Sequence, residues 1–509
     1  MLTLASLPWT AALRAPHRVA LHTDRGDLDF RTLDRAAAGV AARLTRSGVG
    51  AGDRVAICCG NGLAFPPLYY GALRCQAVVV LLPTTAPVAE LAATLRRHRV
   101  RLVAADAAHA DTVRAAVTRA GSGAATLTLR DDGGPARGGR NPELSLETLV
   151  EHAQVAPLPV PPHTPAVILN TSGTTGTPRG ALHSHAGLML NARAVAAEML
   201  HLEEGDVQLG ALPLPHSFGM SAVLNASVLA GAAVALMPRF DAAAALRVIA
   251  ERRVTVLQAV PTMLSRLAAA AAESPASLRL VVVSGAPLPA PLATQVHDHI
   301  CDTVVERYGM TEVSPLTMRA VPRGGGEPGD VGRPLWGVGV RVVDGGYEGE
   351  LEATAPSMFL GYAGDRRATA AALVDGFFRT GDLGRVDGDG RVLLTGRLKD
   401  LIIRGGYNVA AREVEHLIEG HPAVAEVSVV GLPDADLGEE VAAALVLRRG
   451  IPERVAEELR GRCVERLAAY KRPRRWFVLD QLPRTASGKV RKGELRDLLG
   501  GADAVLAER

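Results

Sequence analysis

The chain has 509 residues, 48% hydrophobic and 21% charged. That mixture excludes an intrinsically disordered chain, and the length exceeds what one hydrophobic core usually serves, so two or more domains are expected. Fifty-six basic residues against 53 acidic ones leave a formal net charge of +3, which excludes the strong field of a nucleic-acid-binding protein.

The N-terminal segment MLTLASLPWTAALRAPHR has no basic stretch ahead of an apolar one, so it does not read as a secretory signal. The five cysteines, Cys58, Cys59, Cys75, Cys301 and Cys463, are odd in number and lack metal-ligand spacing. A reducing, cytoplasmic compartment fits them better than a disulfide framework does.

From about residue 50 to residue 310, short apolar runs alternate with Ala/Leu/Arg-rich stretches of helical length. The runs are Arg54–Cys58, Ala77–Leu82, Ala166–Leu169, Val254–Val260 and Leu280–Val283. Strands alternating with helices predict βαβ units and largely parallel sheets covered on both faces, with ligands outside the carboxyl ends of the strands. Residues 121–163 are rich in glycine, proline and polar residues and read as a surface excursion joining two sheet-bearing lobes. Ser217 to Pro238 carries no charge, but Asn225, Ser227 and Gly231 interrupt it. It reads as a buried helix and strand, with no integral membrane association.

After Gly329 come short alternating segments (VRVVD, GELEATA, RVLLTGR) separated by glycines, the pattern of a small antiparallel β unit. A boundary at Arg397–Asp400 divides a large N-terminal domain, 1–398, from a small α+β domain, 399–509. In the small domain, helices are expected near Ala411–Ile418 and Glu453–Leu467, and strands near Val424–Val430 and Val441–Leu447.

Of the 56 basic residues only Lys399, Lys471, Lys489 and Lys492 are lysine. Where arginine serves for generic positive charge, a surviving lysine marks a place that needs a compact ammonium on a flexible stem. Lys471 and Lys492 are read as surface survivors, which leaves Lys399 and Lys489 as candidates.

Thr171 to Gly180 reads TSGTTGTPRG, after the apolar run AVILN. Its hydroxyls, glycine backbone N–H groups and Arg179 suit phosphate oxygens. The spacing is not that of a Walker loop, which needs a Gly-Lys-Ser/Thr ending. ERYGMTE (Glu306 to Glu312), FRTGDLG (Phe378 to Gly384) and PRTASGKVRK (Pro483 to Lys492) follow.

In order and approximate spacing, these four motifs resemble the signatures of the adenylate-forming superfamily, which includes acyl-CoA synthetases, peptide-synthetase adenylation domains and beetle luciferases. The resemblance covers nearly the whole chain. It implies a large N-terminal α/β domain of two lobes plus a β unit, followed by a small mobile α+β domain. It also implies ATP-dependent conversion of a carboxylic acid to an acyl-adenylate with release of pyrophosphate, then transfer to a thiol. The segments LIIRGGYNV and VVGLPDADLGEE resemble fatty-acyl-CoA synthetases most, so a fatty-acid-like acid and coenzyme A are the expected substrates. Loading of an acyl carrier protein and a non-catalytic nucleotide-binding regulator are the alternatives.

The resemblance assigns ATP to Thr171, Ser172, Gly173, Thr174, Thr175, Gly176, Thr177 and Arg179 through its phosphates. Gly285, Ala286, Pro287, Tyr308, Gly309 and Met310 are assigned to the nucleotide, with Tyr308 stacked on adenine. Thr311 falls at the α-phosphate, Glu312 and Thr175 at Mg²⁺, Asp382 on the ribose hydroxyls, and Arg397 beside them. Lys489 matches the adenylation lysine that bridges carboxylate and α-phosphate, and Lys399 matches the hinge.

LPLPHSFGM (Leu212 to Met220) resembles the acyl-site motif, which places His216, Ser217 and Gly219 with Val260 and Gly309 in the acid pocket. Ser217 stands where amino-acid-activating relatives carry an aspartate, which disfavours α-amino acids. Gly405 and Gly406 open the small domain. Gly406 is expected to line a tunnel for the pantetheine thiol, although paired glycines commonly form only a turn.

Overall fold

The computed structural model describes residues 3–130, 143–151, 157–171, 179–448, 454–484, 490–502 and 506–507. Two sheets organise the large domain. The first has eight strands in the order Gly361–Tyr362, Arg179–Ser184, Pro165–Thr171, Val78–Leu81, Arg54–Cys58, Leu102–Asp106, Ala125–Arg130 and Glu143–Ser145. All its pairings from Pro165–Thr171 to Glu143–Ser145 are parallel. Val78–Leu81 is buried at every position, because helices cover both faces, and so its sequence does not alternate.

The second sheet runs Gly26–Asp29, Val19–Thr23, Ala233–Leu236, Val207–Gly210, Val256–Ala259, Leu280–Val283 and Val304–Tyr308, then continues without a break into antiparallel strands. These are Thr317–Ala320, Asp330–Pro334, Val392–Arg397, Phe377–Val386, Gly349–Thr354 and Gly339–Val342. The β unit foreseen after Gly329 is therefore an extension of the second lobe's sheet, joined where Asp330 pairs with Leu393 and Gly332 with Val392.

The uncharged stretch after His216 forms a wide π-type helix, Phe218–Asn225, then Ala226–Ala230 and the buried strand Ala233–Leu236. The wide turns free carbonyls, and buried glutamines take them: the Gln258 amide donates to the Ala222 carbonyl at 2.6 Å and the Gln208 amide to the same carbonyl at 3.2 Å. Buried backbone acceptors need such partners. Among the described residues no helix is long and apolar enough to cross a membrane.

One expectation needs correction. Residues 121–163 are not wholly a surface excursion, because Ala125–Arg130 is a strand of the first sheet with Leu127 and Leu129 buried. The alternation in ATLTLR overrides the surrounding glycine-rich composition. Residues 131–142 and 152–156 lie outside the described set.

The small domain folds around a third sheet, in the order Tyr407–Ala410, Leu401–Arg404, Gly438–Leu447, Arg475–Val478 and Leu506–Ala507, with Val424–Asp434 also paired to Gly438–Leu447. One face packs Ile402, Val414, Leu459 and Trp476, and the other packs Phe477, Leu495 and Leu499. This core shares no residue with the clusters of the large domain, as expected of an independently packed unit. Lys471 and Lys492 are occupied structurally, the first on Glu413 at 2.7 Å and the second on Glu415 at 2.7 Å.

Candidate active site

The strand Val304–Tyr308 alternates its side chains between two faces. Glu306 and Tyr308 share one face: Glu306 pairs with Arg319 at 2.7 Å, and the Tyr308 hydroxyl donates to Asp382 Oδ2 at 2.6 Å. Asp382 comes from Phe377–Val386 and lies directly across from Arg397, whose Nε meets its Oδ1 at 2.6 Å. Asp382 is buried. Burial, reinforced by the Asp382 charge, drives the Tyr308 hydroxyl well above its ordinary range. Burial opposes the charge on Arg397, but Asp382 more than offsets it and its guanidinium is held above its usual value. Tyr308, Asp382 and Arg397, assigned to one nucleotide from three separate stretches of the sequence, thus form one hydrogen-bonded group.

Past the strand end, Glu312 accepts from the Tyr362 hydroxyl at 2.9 Å, and the Arg179 guanidinium lies 5.3 Å from the centre of the Tyr362 ring. Burial and the Glu312 carboxylate both raise the Tyr362 hydroxyl, which keeps it protonated as a donor. The arginine expected at the phosphates and the carboxylate expected at the metal therefore meet through a tyrosine that the sequence reading missed. Thr311 lies nearby against His183, a buried imidazole pushed down to about 4 by desolvation, with the Thr311 backbone pulling weakly the other way.

Thr311 and His183 line a small cleft together with Leu169, Leu188, Asn191, Ser217, Ser221, Ser314 and Ser357. Of the residues proposed for the acid, Ser217 is therefore here, beside Thr311. His216 is exposed on the same turn, its Nδ1 accepting from the Phe218 N–H at 3.3 Å. Gly219 packs tightly instead of lining the cleft, since a Cβ there would stand 2.2 Å from the Pro213 carbonyl oxygen. Val260 lies against Gly285, 3.4 Å from where its Cβ would stand, and Gly285, Ala286 and Pro287 are exposed at the end of Leu280–Val283. Gly309 and Met310 are half-buried after Tyr308. Sequence reasoning missed His183, Asn191, Ser221, Ser314 and Ser357; only the HSH triplet offered a signal.

On the small-domain side, Lys399 is exposed in a single helical turn, Leu398–Asp400, right after Arg397. Gly405 and Gly406 are the central residues of a hairpin in which Arg404 pairs with Tyr407, with φ of +56° and +83°. Positive φ at both positions is the two-residue hairpin turn that glycine favours. Thr171 ends its strand, whereas Ser172, Gly173, Thr174, Thr175, Gly176, Thr177 and Lys489 lie outside the described residues. Among the described residues no group of three or more His, Cys, Asp and Glu side chains could hold a metal ion.

Residues 8–363 match the family described as AMP-binding enzyme, and residues 413–489 match the AMP-binding enzyme C-terminal domain. The chain belongs to the AMP-binding enzyme family. Its small domain is the C-terminal module of these enzymes. This AMP-binding enzyme is 34% identical to a feruloyl-CoA synthase of Amycolatopsis sp, over 98% of its own length and 99% of the relative's. It is 33% identical to a 2-succinylbenzoate--CoA ligase of Bacillus licheniformis, over 94% and 97% of the two chains. Its structure matches ATP-bound MatB from Rhodopseudomonas palustris with a TM-score of 0.87 at 32% identity, covering 98% and 99% of the chains. The curated relatives are acyl- and aryl-CoA ligases, and the enzyme is an AMP-forming acid–thiol ligase. Their names span aromatic and other acids, so the expected fatty-acid-like substrate is narrower than these likenesses support.

Proposed function

We propose that the enzyme adenylates a small carboxylic acid with ATP and transfers the acyl group to coenzyme A. The observation that carries this reading is the Tyr308–Asp382–Arg397 group standing at a strand's carboxyl end beside Thr311 and Glu312, the place where open α/β sheets bind nucleotides. Asp382 accepts from ribose hydroxyls, Tyr308 offers its ring to adenine, and Arg179 and Thr311 meet the phosphates. Glu312 is a fitting Mg²⁺ ligand, a hard carboxylate with an adjacent hydroxyl donor to orient it. Thr175 is its second proposed protein ligand. Such an ion would neutralise charge on the triphosphate.

A carboxylate oxygen of the acid attacks the α-phosphorus, the bond to the β-phosphate oxygen breaks, and pyrophosphate leaves. Lys489 bridges the two anionic partners as charge develops between them, which stabilises the transition state more than the ground state. The small domain then turns about Lys399 and brings the Gly405–Gly406 hairpin to the adenylate. The thiolate sulfur attacks the acyl carbon and AMP leaves with the electron pair of the broken C–O bond.

The small cleft beside Thr311 supports a small, polar acid. Four serines and Asn191 line the cleft, and the Asn191 side-chain oxygen has no hydrogen-bond partner among the described residues, a need that an alkyl tail would leave unmet. A pyrophosphate-release assay over a panel of carboxylic acids tests the reading: release should require both acid and ATP and should become catalytic on adding coenzyme A. ATP turnover independent of any acid would refute it.

A further inference from the structure

Three arginines are buried among the described residues, Arg74, Arg307 and Arg404, at 9%, 8% and 8% exposure. Two have a carboxylate. Arg74 meets Asp34, and Arg404 meets both oxygens of Glu440 at 2.6 and 2.9 Å. Arg307 has none. Among the described residues its Nη2 reaches only the Ser314 hydroxyl at 3.5 Å, its guanidinium lies 4.3 Å from the centre of the Phe218 ring, and Nε and Nη1 have no hydrogen-bond partner. Desolvation lowers it to about 10, so it keeps its charge at neutral pH. A buried guanidinium without a counter-ion is costly to hold, and an anionic ligand would offset that cost.

The strand pleat says which ligand that anion belongs to. Tyr308 and Glu306 face Asp382 and Arg319, on the nucleotide side. Arg307 projects from the opposite face, toward the helix Phe218–Asn225 and Ser314. Ser314 lines the small cleft that Thr311, Ser217 and Ser221 also line, so the arginine ends behind the acid site. Hydroxyls of Ser217, Ser221 and Ser314 are further donors for an oxyanion.

We propose that the activated acid carries a second anionic group, a carboxylate or a sulfonate, bound by Arg307 and the Ser314 hydroxyl while the first carboxylate is adenylated beside Thr311. This rests on the ligase reading above. Because Thr311 and Ser314 border one small cleft, the spacer between the two anionic groups is short. Guanidinium and carboxylate match as fork to fork, so a methyl group in place of the second carboxylate loses charge and geometry together. The arrangement also explains why the chain keeps an unpaired buried charge: it is a specificity device paired only when the substrate is bound.

The test compares acids of equal length, butanoate with butanedioate and pentanoate with pentanedioate, with 3-sulfopropanoate as the sulfonate arm, in wild type, Arg307→Met and Ser314→Asp. Pyrophosphate release and acyl-CoA formation are both read. In wild type the doubly anionic member of each pair should have kcat/KM higher by about a hundredfold or more, and the rate of the sulfonate arm against butanedioate decides between the two anions. Arg307→Met should collapse that ratio toward one and raise the thermal midpoint, because an uncompensated buried charge is gone. Ser314→Asp should also collapse it, by giving the guanidinium an internal partner. Wild-type preference for the singly charged acids, or an equal loss for both classes in Arg307→Met, overturns this inference and leaves the ligase reading standing. If none of these acids but an aromatic or alkyl monocarboxylate releases pyrophosphate, the inference likewise falls alone. If no acid releases it, both fall.

Discussion

Asp382 faces Arg397 directly across two antiparallel strands, Oδ1 to Nε at 2.6 Å, and its other oxygen takes the Tyr308 hydroxyl. One buried carboxylate therefore fixes the residue proposed for adenine and the residue next to the hinge. Asp382→Ala leaves the Tyr308 hydroxyl buried without its acceptor, a loss of about 1–3 kcal/mol. Arg397 is half-exposed and adds little through hydration. The variant should melt earlier, and its KM for ATP should rise at least about tenfold while the acid KM changes little. Equal changes in both constants would remove Asp382 from the nucleotide site.

Acid sensitivity should come in part from two histidines. Desolvation lowers His183 and His185 to about 4 from the ordinary 6.5. Above the ordinary value both are neutral whether the chain is folded or not, so they are silent. Below it the unfolded chain binds protons that the folded chain refuses, and stability falls as pH drops from about 6.5 to about 4, by up to about 3 kcal/mol for each residue. Urea midpoints at about pH 7 and about pH 4.5 check this: His183→Leu should narrow the gap between them. An undiminished gap would mean that its folded-state imidazole protonates normally.

Lys489→Ala should slow adenylate formation by a factor of about a hundred to a thousand, the loss of one preorganised charge donor. Thioester formation from supplied acyl-adenylate should largely survive, because that step breaks no phosphoanhydride. Pyrophosphate exchange at the wild-type rate would show that another group bridges acid and α-phosphate.

The proposed role of the Gly405–Gly406 hairpin in thiol transfer predicts that a change there separates the two half-reactions. With φ of +83° at Gly406, leucine would strain the turn as well as fill space, whereas asparagine accepts positive φ. Among the described residues no atom lies within 4 Å of a Cβ at Gly406. Gly406→Asn should therefore fold normally, release pyrophosphate in a single turnover, and form acyl-CoA more slowly while adenylate accumulates on the enzyme. Unchanged thiolation would place the pantetheine tunnel elsewhere.

The residues proposed for the nucleotide could be named from the sequence because most of them sit inside contiguous motifs. That Tyr308, Asp382 and Arg397 touch was not legible, since the pairing of Asp382 with Arg397 depends on a register between strands that no local pattern encodes. The same limit hid the fusion of the β unit with the second sheet through Asp330 and Leu393. In ATLTLR a strand was hidden by glycine-rich neighbours, composition outweighing a period-two alternation that was present. Arg307 stood within ERYGMTE and was passed over, yet strand alternation alone puts it on the face opposite Tyr308.

The central claim, acid activation through an adenylate before thiol transfer, is tested most directly by isotope. A carboxylic acid labelled with ¹⁸O in both carboxylate oxygens is turned over with ATP, Mg²⁺ and coenzyme A, and the products are weighed by mass spectrometry. Attack of a carboxylate oxygen on the α-phosphorus, followed by cleavage of the acyl C–O bond, leaves one labelled oxygen in AMP, one in the acyl-CoA carbonyl and none in pyrophosphate. Unlabelled AMP, or label recovered in inorganic phosphate, would contradict the account.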